Sequence, residues 1–335
     1  MKTNRLVIAI LATAALAAVT PAAHAVLTYN SGGVNTVNTP QTDQASYPHV
    51  AVSVDGTVVN WNAGATYSST LSGLGNVITL TNSSSFNMNG GSITVIGTPT
   101  ANSVLNAFAP QAGFSGTYSM NGGTMTITES AGIGTGQVRW IGTGEGGTFN
   151  MTGGTVNLTE VGTGNFNPVR ITGGSGIYNF FGGTINASES GVTSQINFFQ
   201  SLSGTPTFNI SGGAYNITAL AAFNLMNIAG GAMNISGGLF TANQNMTGNI
   251  GSATVAGALN LTGTFNIAGG TYTDGTWTDG TAITGTLANG DPFSLLGGVT
   301  LGTLGTLTIV PEPSTYALAG FIGAALLVFR RRVRA

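Results

Sequence analysis

The chain has 335 residues, of which 53 are glycine, none is cysteine, and only 5% carry a charged side chain. Between Val26 and Ile309 the sequence has nine carboxylates and only two arginines, so it offers no basic surface for nucleic acid. Without cysteine, neither disulfides nor thiolate metal sites hold the fold, and we expect packing and backbone hydrogen bonds to stabilise it. We expect no cofactor and no metal centre.

Residues 1–25 have the features of a secretory signal peptide. Lys2 and Arg5 form a basic start, Leu6–Val19 is an apolar run, and Ala23 and Ala25 fit a small-residue cleavage site. We expect export and removal of this segment. The alternative, a retained membrane anchor, is disfavoured by the short apolar run.

Residues 26–81 are less regular and are interpreted as an N-terminal β cap. The stretch Val50–Val59 predicts two strands across an Asp55-Gly56 turn. Terminal repeats must hide an open sheet edge, which is the reason for assigning a cap here. His49 has no carboxylate close in sequence and is interpreted as an ordinary surface or cap residue.

Residues 82–309 are built from a repeated motif. In one copy, Phe149 and Met151 before Gly153-Gly154, and Val156 and Leu158 after it, alternate with polar residues, as in half-buried strands. Glycine reaches positive φ without steric cost, so the pair marks a corner or a tight turn. The copies begin at Phe86, Tyr118, Phe149, Tyr178, Phe208, Met226, Met233, Phe265 and Phe293.

The spacing of the copies predicts stacked units. The leading glycines stand at positions 90, 122, 153, 182 and 212, a fixed period that is typical of repeat architectures. The glycine pair is either a corner of a β-solenoid or a hairpin loop of a meander. Because features recur in step over a whole unit, we predict an all-β, right-handed parallel β-helix or β-solenoid of ~30-residue repeats.

A row of asparagines follows the same period and permits two interpretations, amide ladders along the stack or plain solvation. Its members are Asn87, Asn150, Asn179, Asn209, Asn234 and Asn266.

Five charged residues are also periodic. Glu129, Glu160 and Glu189 each lie seven residues after a leading glycine, and Arg139 and Arg170 each lie seventeen after one. A solenoid would stack the glutamates in one column and the arginines in another. Identical residues on successive rungs favour a solvated or ion-paired ladder. Contact with calcium or a glycan is a weaker hypothesis, and a catalytic carboxylate set, by analogy with β-helix lyases and hydrolases, is the weakest.

Asp274 and Asp279 permit calcium binding, but both precede glycine and are better interpreted as turn residues.

The C-terminal residues 310–335 have three parts in a fixed order. Pro311-Glu312-Pro313 is followed by the apolar run Tyr316–Phe329 and then by arginines. As a helix the run reaches about 21 Å, short of the roughly 30 Å hydrocarbon core, so we expect either snorkelling of flanking residues or thinning of the bilayer. The arginines that should stay cytoplasmic and retain the chain in the membrane are Arg330, Arg331 and Arg332.

This tail resembles the PEP-CTERM sorting signal of bacteria that carry exosortase. The resemblance implies recognition at Pro311, Glu312 and Pro313 by an exosortase-type processing enzyme, removal of the tail, and delivery to the cell surface or extracellular matrix. The repeats are similar to the glycine-rich solenoid repeats that precede such tails, for which no chemistry carries over to a residue here.

The sequence therefore predicts an exported, non-enzymatic cell-surface or extracellular-matrix protein, structural or adhesin-like and associated with biofilm or exopolysaccharide. The C-terminal helix would anchor it transiently in the inner membrane. One alternative is a β-helix lyase or hydrolase acting on extracellular polysaccharide. Another is a carbohydrate-binding surface protein that uses Trp140, Trp277 and nearby tyrosines as stacking platforms.

Overall fold

The structure is a computed structural model. It describes residues 27–29, 33–41, 50–72, 75–98, 104–110, 114–129, 137–142, 146–191, 196–267, 269–273 and 281–311. The predictions for the signal peptide, His49, Asp274, Asp279, Trp277 and the tail from Glu312 onward lie outside these ranges.

Throughout the described ranges all regular secondary structure is β, as the alternating pattern predicts. The strands are β1 (Leu27–Tyr29), β2 (Val34–Val37), β3 (Val50–Asp55), β4 (Val58–Trp61), β5 (Thr66–Ser72), β6 (Gly75–Thr81), β7 (Ser85–Thr98), β8 (Val104–Pro110), β9 (Thr117–Glu129), β10 (Gln137–Gly142), β11 (Thr148–Met151), β12 (Thr155–Glu160), β13 (Val169–Ile171), β14 (Ile177–Phe180), β15 (Thr184–Glu189), β16 (Asn197–Ser201), β17 (Thr207–Thr218), β18 (Phe223–Ile228), β19 (Gly231–Ala242), β20 (Met246–Ile250), β21 (Gly257–Phe265), β22 (Gly270–Thr273), β23 (Ile283–Leu287), β24 (Pro292–Leu295), β25 (Val299–Leu301) and β26 (Gly305–Val310).

Each coil of the chain contributes three strand segments, which stack into three faces. The first face contains β11, β14 and the first halves of β7, β9, β17 and β19. The second face contains β5, β12, β15 and the second halves of β7, β9 and β17. The third face is a separate ten-stranded sheet in the order β1-β3-β6-β8-β10-β13-β16-β18-β20-β25.

The strand register confirms the β-solenoid and shows that the meander is wrong. On the first face Phe149 pairs in parallel with Tyr178, one repeat later. On the second face Thr155 pairs in parallel with Thr184. Partners one repeat apart and parallel are those of successive coils, whereas a meander would pair neighbouring strands antiparallel.

The glycine pair forms the corner between the first two faces. Gly154 has φ of +84°, the left-handed region that glycine enters without strain. A β-carbon there would lie 2.7 Å from Met120 Cε and 2.9 Å from the backbone carbon of Gly122 in the coil below. Glycine is therefore required at this position for two reasons, the positive φ and the lack of room for a β-carbon between successive coils.

The alternating apolar residues fill the interior as predicted. Phe149, Met151, Val156 and Leu158 are all at most 4% exposed. Aromatic rings stack from coil to coil along the first face, with Tyr118 and Phe149 centroids 4.7 Å apart. The stack consists of Trp61, Phe86, Tyr118, Phe149, Tyr178 and Phe208.

Three copies of the repeat motif do not occupy the first face. Met226 lies on β18 in the third face, paired with Phe199. Phe265 ends β21 where it pairs antiparallel with β23, and Phe293 lies on β24 in the same antiparallel group. The spacing between copies of the motif becomes irregular after Gly212 because the strands of these three copies pair with different strands or run antiparallel.

The two ends of the described chain differ. The described strands of residues 26–81, the predicted cap, pair in parallel as rungs of the same sheets, and Asp55-Gly56 separates β3 of the third face from β4 of the first. At the other end β23 and β24 pair antiparallel, and Phe293 packs edge-on against Phe240 at 5.8 Å. This antiparallel group covers the last rung of the second face, a closure that the sequence did not indicate.

Candidate functional site

The glutamates form a single column inside the solenoid. Glu160 pairs with Glu189, and Thr159 pairs with Thr128, next to Glu129. The column is stacked as predicted, but it is buried instead of solvated, with Glu129 at 1%, Glu160 at 0% and Glu189 at 4% exposure. The reason is the two-residue period, since Val156, Leu158 and Glu160 have the same parity and all point inward.

Backbone donors bind the carboxylates. Glu129 Oε2 accepts hydrogen bonds from the N–H groups of Val161, at 2.9 Å, and Gly162, at 2.5 Å. Glu160 Oε2 accepts one from Val138 N–H at 3.1 Å, while Glu160 Oε1 has no hydrogen-bond partner. Burial, reinforced by the neighbouring glutamates, raises the pKa of Glu160 to about 9, although the Val138 donor acts in the opposite direction. The Glu160 carboxyl is therefore neutral at pH 7.

The two arginines lie near the column but do not stack on each other. Arg139 pairs with Asn106, whereas Arg170 pairs with Gly142 and Gln200, so the predicted arginine column is wrong. Gly142, the partner of Arg170, lies 20 residues after Gly122, whereas Arg170 lies only 17 after Gly153, so the two coils differ by three residues between the glycine corner and the third face. Two residues that lie at the same distance from their leading glycines therefore need not pair on successive rungs.

Both guanidinium groups donate to one acceptor. Arg139 Nη2 and Arg170 Nη1 each donate to Gln137 Oε1, the second at 3.3 Å. Burial, together with the charge of Arg170, lowers the pKa of Arg139 to about 10, while Glu160 acts in the opposite direction. Arg139 remains charged at neutral pH, and its Nε has no hydrogen-bond partner.

In this ionisable cluster the three glutamates and Arg139 are buried, and Arg170 is half-buried. Its carboxylates are covered by the solenoid wall, so a glycan has no outer surface on which to contact them. Across the described ranges, no group of three or more His, Cys, Asp or Glu side chains is arranged to hold a metal ion. Trp140 is 0% exposed and packs at 4.8 Å, edge-on, against Phe149, so it is a core residue and no platform for a sugar.

The asparagine row forms amide ladders, one of the two predicted interpretations. Asn179 Nδ2 donates to Asn150 Oδ1 at 2.8 Å, and Asn209 donates to Asn179 at the same distance. The ladder continues through Asn234 to Asn260. Asn87 lies on the same face and donates to Asn60. Asn266 does not belong to the ladder, because it bonds the backbone of Ala282 and Thr284 in the antiparallel group.

The outward side of the second face carries a regular polar array that the sequence analysis did not single out. We name it the threonine array. Its three columns, all half-buried, are Thr124-Thr155-Thr184, Thr126-Asn157-Asn186 and Thr128-Thr159-Ser188. The signal was present in Thr124-Met-Thr126-Ile-Thr128, where hydroxyl residues alternate with buried ones.

The predicted sorting residues begin where the solenoid ends. β26 finishes at Val310, paired in parallel with β21 on one edge and antiparallel with β22 on the other. Pro311 follows directly and packs on the backbone of Gly269, where an added β-carbon would lie 2.8 Å from Pro311 Cγ. Within the described ranges, no helix has the length and apolar character needed to cross a membrane.

The protein is therefore a β-solenoid whose last strand, β26, continues directly into a tail that begins with Pro311. Residues 310–332 match the family model of the PEP-CTERM protein-sorting motif, so the chain carries this sorting tail. Such a tail implies an exported protein that exosortase processes and sorts to the cell surface. No curated protein and no solved structure was found to match the chain.

Proposed function

We propose that the protein is a non-enzymatic structural or adhesive component of the cell surface or extracellular matrix, associated with biofilm or exopolysaccharide. Its tail would anchor it in the inner membrane until exosortase removes it at Pro311-Glu312-Pro313. The observation that carries this proposal is the direct junction of a repetitive solenoid with the matched sorting motif at Val310. A rigid rod released at the surface suits a scaffold role.

The distribution of charge supports a role without catalysis. A polysaccharide lyase or hydrolase needs accessible carboxylates or bases in differentiated roles. Here the stacked glutamates are sealed inside the wall, and the outer sides of the first two faces carry mainly Asn, Thr and Ser. Low charge and long ladders favour extended contact with neutral partners.

Cell fractionation with mass spectrometry of the mature C-terminus tests the sorting. We expect a product that ends near Pro311 outside the cytoplasm, and full-length chain in the inner membrane when Pro311 and Pro313 are both changed to Ala. Ser314→Ala, just beyond the motif, is the matched control and should be processed normally. Full-length wild-type chain that stays in the inner membrane would contradict the proposal.

Catalysis has a separate test. The purified full chain is incubated with acidic and neutral glycans, and we expect no reducing ends and no unsaturated sugars. Release of either product would replace the structural role with that of a β-helix enzyme.

A further inference from the structure

The geometry of the threonine array is that of a two-dimensional lattice. Its strands pair in continuous parallel register along the second face, from Thr124 through Thr155 to Thr184. Neighbouring rows are therefore about 4.7–4.9 Å apart, and alternate residues along a strand are roughly 6.6 Å apart. The lattice continues onto β7 and β17, which pair with β9 and β15 at the same positions.

The array is held rigidly. Behind it, Met125, Val156 and Ile185 are at most 1% exposed and fix the backbone against the core. In the central column Asn186 Nδ2 donates to Asn157 Oδ1 at 2.8 Å, and Asn157 Nδ2 donates to Thr126 Oγ1 at 3.3 Å. Threonine is stiff at χ1, so its hydroxyl and methyl groups repeat with the backbone.

The chemistry of the array selects an uncharged partner. None of its nine side chains is ionisable, whereas charged groups would hold hydration shells of their own. Ile96, in the same column as Thr128 on the adjoining strand, is 39% exposed, so the surface mixes hydroxyl and apolar groups. The array contains no aromatic ring, the group that stacks on sugar rings in carbohydrate sites, and this argues against a polysaccharide as the occupant.

We propose that the threonine array binds ice. Its two repeat distances are comparable with the oxygen–oxygen repeats on the surfaces of hexagonal ice, so rigid hydroxyl groups and the water held between their methyl groups match a growing crystal face. Both surfaces are uncharged, and no charged group has to be desolvated on contact. The exported location places the array in external water. Failure of this inference would leave the proposed surface role untouched.

The inference is tested by measuring how much of the detergent-solubilised full chain enters a slowly growing ice front. A detergent-solubilised protein that ice excludes serves as the reference. We expect the wild-type chain to enter the ice and Thr155→Tyr, which breaks the lattice at its middle row, to be excluded like the reference protein. Thr207→Tyr is the matched control, since Thr207 is also half-buried at the start of a strand but lies on the first face. It should enter ice as the wild type does.

Thermal unfolding of each variant establishes that it is folded. If Thr155→Tyr misfolds, Thr155→Val keeps the shape and removes one hydroxyl, and its ice uptake should fall. Exclusion of the wild type from ice, or equal losses in Thr155→Tyr and Thr207→Tyr, would overturn the inference. Pelleting with microcrystalline cellulose that depends on Thr155, without uptake into ice, would also overturn it and assign the array to neutral polysaccharide.

Discussion

Replacing Glu160 with Gln should remove most of the pH dependence of folding stability between weakly acidic and weakly basic pH. Burial raises the pKa of Glu160 to about 9 in the folded chain, above the value near 4.5 of an unperturbed glutamate. Between these two values the folded state binds a proton that the unfolded state has released. Stability is therefore fully present below the unfolded pKa and falls as pH rises toward 9.

The magnitude follows from the size of the shift. One bound proton changes the free energy of unfolding by at most about 1.4 kcal/mol per pH unit. From roughly pH 5.5 to pH 8 the wild type should lose up to about 3.5 kcal/mol. Glutamine has the shape of the protonated acid, keeps an acceptor for Val138 N–H and does not titrate, so the variant should lose little.

Urea unfolding at a series of pH values measures the effect, with the fluorescence of the buried Trp61 and Trp140 as the signal. Asp55→Asn is the control, because hydrogen bonds from Thr81 and Asn82 lower the pKa of that exposed carboxyl and move its titration below this window. It should leave the slope between pH 5.5 and pH 8 unchanged. A wild-type stability that does not fall over this range, or an equal fall in Glu160→Gln, would refute the reasoning.

Three further substitutions test the packing by thermal or urea unfolding. Gly154→Ala should destabilise the chain by more than Gly290→Ala, because both glycines have positive φ but only a β-carbon at Gly154 would meet the neighbouring coil. The backbone strain common to both substitutions is about 1–2 kcal/mol. Equal losses of stability would contradict the corner geometry. Asn179→Ala removes two ladder hydrogen bonds and should lose about 1–3 kcal/mol, against no more than about 0.5 kcal/mol for Thr207→Ala on the same face. Trp140→Ala should lose about 3–5 kcal/mol, whereas unchanged stability would indicate an exposed side chain.

The repeat and the alternation were sufficient to predict the solenoid. Phe149 and Tyr178 occupy equivalent places in the motif, and the structure pairs them. Inward and outward positions also follow from the two-residue period. The same period predicts that Glu160 points inward, but the usual expectation that a carboxylate is solvated led to the opposite interpretation. Parity is the stronger rule here because a residue in an unbroken strand cannot change sides.

The parts that the sequence did not reveal depend on pairing partners distant in the chain. Met226 and Phe265 begin the same local motif as Phe208, yet they lie in different structural settings. Arg139 is likewise out of step with Arg170, because the residue that pairs with Arg170 is Gly142, three positions after Arg139. Local patterns predict which residues are buried, whereas the register after an insertion or a bulge is decided by packing between coils.

Disulfide trapping tests the central claim that successive repeats stack as parallel coils. Because the chain has no native cysteine, only the introduced cysteines can form a disulfide. Asn150 and Asn179 occupy paired positions on successive rungs, at a spacing of about 4.8 Å that a disulfide accepts. The account predicts that Asn150→Cys combined with Asn179→Cys forms a disulfide on mild oxidation. It also predicts that Asn150→Cys combined with Asn157→Cys, opposed only if Gly153-Gly154 is a hairpin loop, stays reduced. A disulfide in the second pair and none in the first would contradict the solenoid.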